Sequence, residues 1–153
     1  MRRPYFPPVP GAPAPLRAVS ERTARFEEVD SLRIVWHGRY PSYFEDARVA
    51  LGERYGIGYL RFHAEGVAAP IKQLHVDYRL PLRFGDRFTV EGLLHWSVAA
   101  RLNHEFIIRN LAGEITTTGY TVQMFTDPKG ELLLTQPEFV REFCRRWQEG
   151  ELP

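Results

Sequence analysis

The sequence has little of what several classes of protein require. Its 153 residues include one cysteine, Cys144, which excludes an internal disulfide or a cysteine-cluster zinc site and favours a reducing, cytoplasmic location. No stretch reaches the roughly 18 apolar residues of a membrane span. Lys and Arg number 20 against 19 for Asp and Glu, a net charge of +1, whereas a general nucleic-acid binder is usually far more basic. We therefore predict neither a nucleic-acid partner nor a membrane span.

The motifs of several common enzyme classes are also missing. The sequence has no glycine-rich phosphate loop, no Gly-x-Ser-x-Gly nucleophile turn and no His-Glu-x-x-His metal motif. Its five histidines are scattered, and those in predicted strands are more often ordinary sheet residues than ligands. The sequence therefore predicts no metal site and no cofactor.

Proline is concentrated at the start of the chain. Six of the 12 prolines lie in the first fifteen residues, and proline removes backbone donors and blocks helix formation. We therefore predict that residues 1–18 form an extended or disordered arm. Residues 19–153 are predicted to form one domain that ends in a helix.

Apolar periodicity predicts the order of the remaining elements. A first strand is expected at 21–29, then a long helix from Tyr40 that stops at Gly56, and a short helix over 59–65. Four strands follow, because apolar residues alternate with period two near 74–78, 88–98, 102–108 and 120–124. Pro137 then opens an amphipathic C-terminal helix.

This order of elements indicates an α+β fold. A single long helix and a run of antiparallel strands pack best with the helix covering one face of the sheet. The opposite face also carries apolar residues, such as Leu93 and Ile107. Further burial of that face is therefore expected, for example in an oligomer.

The segment that links the first strand to the long helix has unusual residues for a connection. Asp30 lies about ten residues before the helix, and Gly38 permits an unusual backbone angle or the close approach of a ligand. Free N–H groups at a helix start stabilise an oxyanion, and a carboxylate near them stays ionised and can act as base or nucleophile. Taken alone, Asp30 is more often a turn residue or a helix cap.

Two stretches of the sequence resemble family signatures. The first signature reads Asp-x-x-Gly, two aliphatic residues, an aromatic, often His, and two residues before Tyr, followed by an aromatic-Phe-Glu-x-Ala-Arg run. The second is a Pro-x-Arg-aromatic-x-Asp turn after an aromatic strand end, found here within 76–86. On the basis of these two signatures, the chain resembles the 4-hydroxybenzoyl-CoA thioesterase-like branch of hot-dog acyl-CoA thioesterases over about residues 25–137. The first signature is matched by Asp30, Ile34, Val35, Trp36, His37, Tyr40, Tyr43, Phe44, Glu45, Ala47 and Arg48.

The resemblance implies a fold, an assembly and a reaction. The fold is a long central helix wrapped by a curved antiparallel sheet of about five strands, in a homodimer or homotetramer with the active site at the dimer interface. The reaction is hydrolysis of an acyl-CoA or acyl-carrier-protein thioester. Asp30 would activate water or attack the thioester, and backbone N–H groups near His37 and Gly38 would hold the oxyanion. The His37 ring would either make a structural hydrogen bond or position the substrate.

The resemblance also implies substrate contacts. Trp36, Tyr40 and Phe44 would line the acyl pocket, or else belong to the core. The phosphates of CoA need basic side chains at the mouth of the site. Arg83 and Arg101 are candidates, and each is equally well explained as a solvated surface charge.

One departure from the signature concerns the residue three positions after the aspartate. The family usually has glycine there, and this chain has Arg33. Its side chain either points to water, contacts an acidic acyl group or a CoA phosphate, or obstructs the site. Arg39 also stands where asparagine is frequent.

Two other functions compete with hydrolysis. Hot-dog dehydratases and hydratases pair a histidine with a carboxylate in arrangements such as Asp-x-Asn-x-x-His, which this sequence lacks. A non-catalytic hot-dog subunit that binds an acyl thioester is the other alternative, and Arg33 and Arg39 keep it open.

Overall fold

A computed structural model describes residues 2–153, and Met1, the first residue of the predicted arm, lies outside the described part. The described residues form an α+β fold, as the sequence predicts. The elements, in chain order, are β1 (Leu16–Thr23), α1 (Tyr40–Tyr55), α2 (Tyr59–Ala64), β2 (Ile71–Tyr78), β3 (Arg87–His95), β4 (Arg101–Asn110), β5 (Ile115–Met124) and α3 (Glu138–Gln148).

The five strands form one curved antiparallel sheet in the order β1-β3-β4-β5-β2. The central strands β3, β4 and β5 follow one another as neighbours, and the early strands β1 and β2 add to opposite edges. Helix α1 begins with Pro41 in its first turn and ends at Gly56, which adopts the left-handed φ of 73° that glycine favours. The helix packs across β1 and β3, so the sheet has a helix-covered inner face and an outer face.

The inner face and α1 form a core around stacked aromatic rings. Phe44 is fully buried and stacks on Phe106 with the ring centroids 4.5 Å apart. Gly119 makes room for this pair, because a Cβ at that position would lie 2.6 Å from the Phe44 ring. The aromatic positions of α1 and the glycine of β5 are therefore matched in size.

The first strand is a correction to the sequence prediction. β1 spans Leu16–Thr23 rather than 21–29, so it takes up the last three residues of the predicted arm. β1 is an edge strand with only Leu16 and Ala18 buried, which is too short an apolar alternation to be visible beside the prolines. Residues 26–28 instead form a 3-10 turn that buries Glu28 against Arg22, with 3.0 Å between the charged groups.

The arm lies against the outer face of the sheet. Arg2 forms an ion pair with Glu105 of β4 at 2.5 Å, and the Tyr5 hydroxyl lies 2.7 Å from the Thr118 Oγ1 of β5. The ring of Phe6 packs on Tyr120 at 5.5 Å. These contacts cover part of the outer face within the chain itself, and the oligomer expected from the sequence stays a prediction.

The C-terminal helix α3 closes the far end of the core. It buries Phe139, Val140, Phe143 and Trp147, the stripe predicted from the sequence. The Trp147 indole N–H donates to the Ala14 carbonyl oxygen at 3.1 Å, which ties the helix to the end of the arm. Among residues 2–153, every helix is too short or too polar to cross a membrane.

Candidate active site

Asp30 lies in a tight turn within the linking segment. The Arg33 N–H donates to the Asp30 carbonyl oxygen at 2.9 Å, and the Asp30 N–H donates to the Ile34 carbonyl oxygen at 2.9 Å. The Asp30 Oδ1 accepts a further bond from the Leu32 N–H at 2.8 Å. Aspartate favours such turns because its short side chain reaches the backbone two residues on. The turn role that the sequence left open for Asp30 is therefore present.

Arg33 occupies the strained position of this turn. Its φ of 64° lies in the left-handed region and is the one positive φ outside glycine among residues 2–153. A residue with a Cβ is disfavoured there, whereas glycine is not. The backbone thus has the shape that the family's glycine would adopt, and the arginine side chain is exposed.

Two neighbouring segments hold the turn in place. Val29 and Val35 form an antiparallel bridge, and the Val35 N–H donates to the Leu82 carbonyl oxygen at 2.7 Å. A second bridge joins Ile34 to Arg83. Arg83 is therefore brought next to the Asp30 turn, while its side chain stays exposed.

The start of α1 lies directly after this hairpin. A 3-10 turn over His37–Arg39 leads into the helix, and its first internal bond runs from the Arg39 N–H to the Trp36 carbonyl oxygen at 2.9 Å. Trp36 supplies no side-chain acceptor as N-cap, and the N–H groups of His37 and Gly38 have no acceptor among residues 2–153, so they are left for an external acceptor. The Tyr78 hydroxyl donates to the His37 carbonyl oxygen at 2.6 Å and fixes the turn.

Trp36 and Gly38 are packed together. A Cβ at Gly38 would lie 2.3 Å from the Trp36 ring, so glycine here accommodates the indole of the same chain. The indole is 46% exposed, and its centroid lies 5.1 Å from that of His37. Trp36 and His37 thus form an exposed aromatic pair beside the free N–H groups.

Two predicted pocket residues, Tyr40 and Phe44, lie in the core instead. Tyr40 is 3% exposed and Phe44 is fully buried. Helical geometry turns these positions toward the sheet, where Tyr78 and Phe106 cover their rings. The core alternative that the sequence left open is the correct one for this pair.

Arg101 lies far from Asp30 within one protomer. Arg101 is the first residue of β4. The start of α1 lies at the other end of that strand, near Phe88, which pairs with the last β4 residue, Asn110. Ten strand residues separate these two ends by about 30 Å. Its place in the alternation puts the Arg101 side chain on the outer face, together with Asn103.

A cavity of about 340 Å³ lies behind the second half of α1. Helix α2 and the inner faces of β3, β4 and β5 complete it, and most of the lining is apolar. Three of its polar side chains are buried, and the sequence prediction did not include them in the site. They are Arg48, His104 and Gln123.

A sequence signal existed for two of these three residues. Arg48 belongs to the first family signature, and it forms an ion pair with Glu45 of the same signature on α1. His104 stands on the predicted apolar face of β4 as its one polar member. Gln123 was missed because the apolar alternation of β5 lies at Tyr120 and Val122, which face outward. The arm covers that outer face, so it tolerates apolar residues.

The site offers no obvious metal ligands. Residues 2–153 contain no group of three His, Cys, Asp or Glu side chains arranged to hold a metal ion.

Comparison with known proteins gives a consistent family. The profile of the "Thioesterase-like superfamily" matches residues 24–144. The chain is 28% identical over 96 residues to "Putative acyl-CoA thioesterase YneP" of Bacillus subtilis, which covers 63% of this chain and 70% of that protein. A hypothetical protein of Thermus thermophilus, TT1821, has a structure with a TM-score of 0.74 at 29% identity, covering 83% of this chain and 96% of that one.

A further solved structure bears on the fold alone. The DHNA-CoA thioesterase of Staphylococcus aureus has a TM-score of 0.78 at 24% identity and covers 87% of this chain and 91% of its own. The predicted hot-dog fold, a long helix wrapped by a curved sheet of five strands, is therefore confirmed.

Proposed function

The chain belongs to the thioesterase-like superfamily, and we propose on that premise that it hydrolyses an acyl-CoA thioester to a carboxylic acid and CoA. In this proposal Asp30 is the catalytic carboxylate and the active site is shared by two protomers. The observation that carries the proposal is the placement of the Asp30 turn directly before a helix start with free N–H groups. YneP, whose name describes an acyl-CoA thioesterase, supports the same general reaction.

Asp30 fits either of two chemical roles. Its Oδ1 accepts the Leu32 N–H and fixes the side chain, so Oδ2 is the oxygen that remains for chemistry. That oxygen would take a proton from water, which then attacks the thioester carbon, or would attack that carbon directly. The carbonyl oxygen becomes negative in both cases, and the N–H groups of His37 and Gly38 are the donors that would stabilise it. The sulfur of CoA then leaves as a thiolate. Where Asp30 attacks directly, the acyl group remains on Asp30 as an anhydride, and water must hydrolyse that anhydride to release the acid.

The edge strand β2 supports a site shared by two protomers. Within the described residues 2–153 it has no partner strand on one side, and Ile71, Leu74 and Tyr78 are exposed along it. Exposed apolar edge strands of this kind are templates for pairing with another chain. We propose that two copies pair through β2 and so extend both sheets into one.

The register of such a pairing would join the two halves of the site. If β2 pairs antiparallel with its copy, the Tyr78 end of one strand lies beside the Ile71 end of the other. Within each protomer Tyr78 binds His37, and Ile71 pairs with the cavity residue Gln123. The Asp30 turn of one protomer would therefore adjoin the cavity of the other, which we propose as the acyl pocket.

Three finer points complete the proposal. Arg83, next to the Asp30 turn, is the better placed of the two candidate contacts for a CoA phosphate, and Arg101 remains a weaker one. No cofactor is needed, because the carboxylate and the N–H groups supply the chemistry. A cytoplasmic location is proposed because the single cysteine, Cys144, is a half-buried free thiol.

The direct test is thiol release from a panel of aromatic, short-chain and long-chain acyl-CoAs, with Asp30→Asn as the variant. The asparagine oxygen can still accept the Leu32 N–H, so the turn should persist. We expect turnover to fall by about 10²–10⁴-fold, because the base or nucleophile is lost. The matched control is Asp86→Asn, since Asp86 accepts the Arg83 N–H at 2.7 Å in a neighbouring turn and has no proposed role in chemistry.

Other results would contradict parts of this proposal. Unchanged turnover in a folded Asp30→Asn protein would move the chemistry to another residue. Binding of acyl-CoA without thiol release would favour a non-catalytic subunit, and activity confined to acyl-carrier-protein thioesters would change the substrate class. A mass near 17.8 kDa by light scattering at micromolar concentration would contradict the shared site.

A further inference from the structure

Glu28 is a buried carboxylate two residues before Asp30, and the proposed chemistry does not use it. Its side chain is only 2% exposed, and carboxylates are almost never buried to this degree unless they are paired. The partner is Arg22 of β1, whose Nη2 donates to the Glu28 Oε2 at 3.0 Å. The other oxygen, Oε1, accepts the Arg25 N–H at 2.7 Å. Both oxygens of Glu28 are therefore held in place.

Arg22 connects Glu28 to the long helix. Its guanidinium forms a second ion pair with Asp46 of α1. It also lies over the ring of Tyr43, with 4.8 Å between the guanidinium carbon and the ring centroid, and Tyr43 is fully buried on α1. One arginine thus fixes the position of Glu28 against both β1 and α1.

The backbone of Glu28 contacts the other half of the proposed site. Its carbonyl oxygen accepts the Trp36 N–H at 2.8 Å. Trp36 directly precedes His37 and Gly38, whose N–H groups are the proposed oxyanion donors. Glu28 therefore adjoins Asp30 along the chain and the oxyanion donors through a hydrogen bond, so a shift of Glu28 would move the two parts of the site relative to each other.

Stability alone is a weak reason for an ion pair with a buried carboxylate. Taking the charges out of water costs free energy that their attraction often does not exceed, and apolar residues of similar volume often stabilise a protein as well or better. Hydrogen bonds between a guanidinium and a carboxylate are directional, so the pair can instead enforce one geometry. Geometry matters beside reacting groups, because a misplacement of about 1 Å can lower a rate by about 10²-fold.

We propose that Glu28, held by Arg22, is a positioning residue that sets the Asp30 carboxylate relative to the N–H groups of His37 and Gly38. The inference rests on the proposed thioesterase function and extends it to two residues that do not touch the substrate. Loss of the pair should therefore slow the chemical step, with little effect on substrate binding or on the stability of the fold.

The test replaces both charges at once, in the double variant Arg22→Met/Glu28→Leu. Two apolar side chains then take the place of the pair, so neither charge is left unpaired, and the partly exposed Asp46 stays in water. We expect a free energy of unfolding that is unchanged or higher, a kcat for acyl-CoA hydrolysis about tenfold lower, and a KM within about twofold of wild type. A merely structural pair would change stability and leave the kcat of the folded protein unaltered, so an unchanged kcat would overturn the proposal.

Amide hydrogen exchange of the full chain, labelled with ¹⁵N, gives a second readout that needs no substrate. The Trp36 N–H is bonded to Glu28, and the Asp30 N–H to the Ile34 carbonyl oxygen. Both should exchange about tenfold faster in the double variant, because local opening of the segment becomes easier. Unchanged exchange would overturn the proposal. Absent thiol release by the wild-type protein would contradict the thioesterase function, whereas the exchange rates would still decide whether Glu28 holds this segment.

The matched control is the double variant Arg17→Met/Glu91→Leu. Arg17 and Glu91 form another ion pair of β1, at 2.5 Å, near the opposite end of the strand from Arg22. Their replacement should leave kcat and the exchange of the Trp36 N–H unchanged. If the first double variant does not fold, Glu28→Gln takes its place, since it keeps an acceptor for the Arg25 N–H and removes only the charge that binds Arg22. Its kcat should fall several-fold at unchanged KM, and a wild-type kcat would overturn the proposal.

Discussion

The two ends of helix α1 hold their polar side chains in opposite ways. At the front end, Arg33 is exposed and Asp30 is half-buried, and the Asp30 carboxylate is hydrogen-bonded to the backbone of its own turn. At the rear end, Arg48, His104 and Gln123 are buried, and each keeps an unpartnered atom. A polar group in contact with water costs the fold little free energy, whereas a buried polar group without a hydrogen-bond partner costs much more. The front end therefore suits chemistry that needs water, whereas the rear end holds its polar side chains within the packed interior.

This difference predicts which property a substitution at each end will change. The front end depends on backbone geometry in a surface turn, so its variants should alter turnover with little loss of stability. The rear end and the core beside it depend on packing, so their variants should alter the free energy of unfolding. The boundary between the two regions lies at Phe44, one helical turn before Arg48.

The largest expected effect on stability is that of Phe44→Ala. The substitution removes a fully buried ring that stacks on Phe106, and such losses cost about 3–5 kcal/mol. Urea unfolding followed by fluorescence measures the change. The matched control is Trp36→Ala, since Trp36 is an aromatic residue of the front end that is 46% exposed, and it should cost much less. Similar losses in the free energy of unfolding of the two variants would contradict a boundary at Phe44.

A smaller effect is expected from pH. The pKa of His104 is lowered to about 3 in the folded state by burial and by Arg48, against about 6.5 when unfolded. Below pH 6.5 the unfolded chain therefore binds a proton that the folded chain does not, and stability falls as pH falls. The free energy of unfolding should drop by about 2 kcal/mol between pH 7 and pH 5 from this residue alone.

The pH prediction is checked by urea unfolding at both values. His104→Leu should remove most of this drop. His37→Gln, at the exposed front end, should leave the drop unchanged. A pH dependence that is the same in wild type and His104→Leu would show that His104 is not held neutral in the folded state.

The sequence predicted the parts of the fold that apolar periodicity and helix-ending residues specify. The stripe from Tyr40 to Tyr55 and the stop at Gly56 gave α1 correctly, because a 3.6-residue period and a left-handed glycine are local signals. β1 was placed too late because two buried residues in an edge strand give almost no alternation. The side of β5 that faces the core could not be predicted, since its apolar alternation lies on the outer face and the arm that covers that face is distant in sequence.

The candidate site was likewise predicted only in part. The resemblance located the Asp30 turn and the helix start, and their roles in chemistry stay predictions. It left Tyr40 and Phe44 as either pocket or core residues, and the structure buries both in the core. The rear cavity depends on β4, β5 and α1 meeting in space, so no short motif could indicate that Arg48, His104 and Gln123 converge.

The smallest expected effect is a gain in stability from Arg33→Gly. Arginine at a φ of 64° is strained, and glycine removes that strain although it adds freedom to the unfolded chain. We expect the free energy of unfolding to rise by about 0.5–1 kcal/mol, which urea unfolding can resolve. If the exposed guanidinium contacts a CoA phosphate or an acidic acyl group, the KM for that substrate should rise as well. If it obstructs the site, activity toward bulky acyl-CoAs should increase instead.

Arg33→Ala separates the charge of Arg33 from its backbone strain. Alanine removes the guanidinium but keeps a Cβ at the left-handed position, so it should not gain the stability that glycine gains. An effect on KM shared by both variants would come from the lost charge, whereas an effect in the glycine variant alone would come from the relaxed turn and its hold on Asp30. Equal stability of the glycine and alanine variants would show that the turn is not strained at this residue. Backbone geometry would then have no special role at the front end. The two ends of α1 would differ only in how deeply their polar side chains are buried.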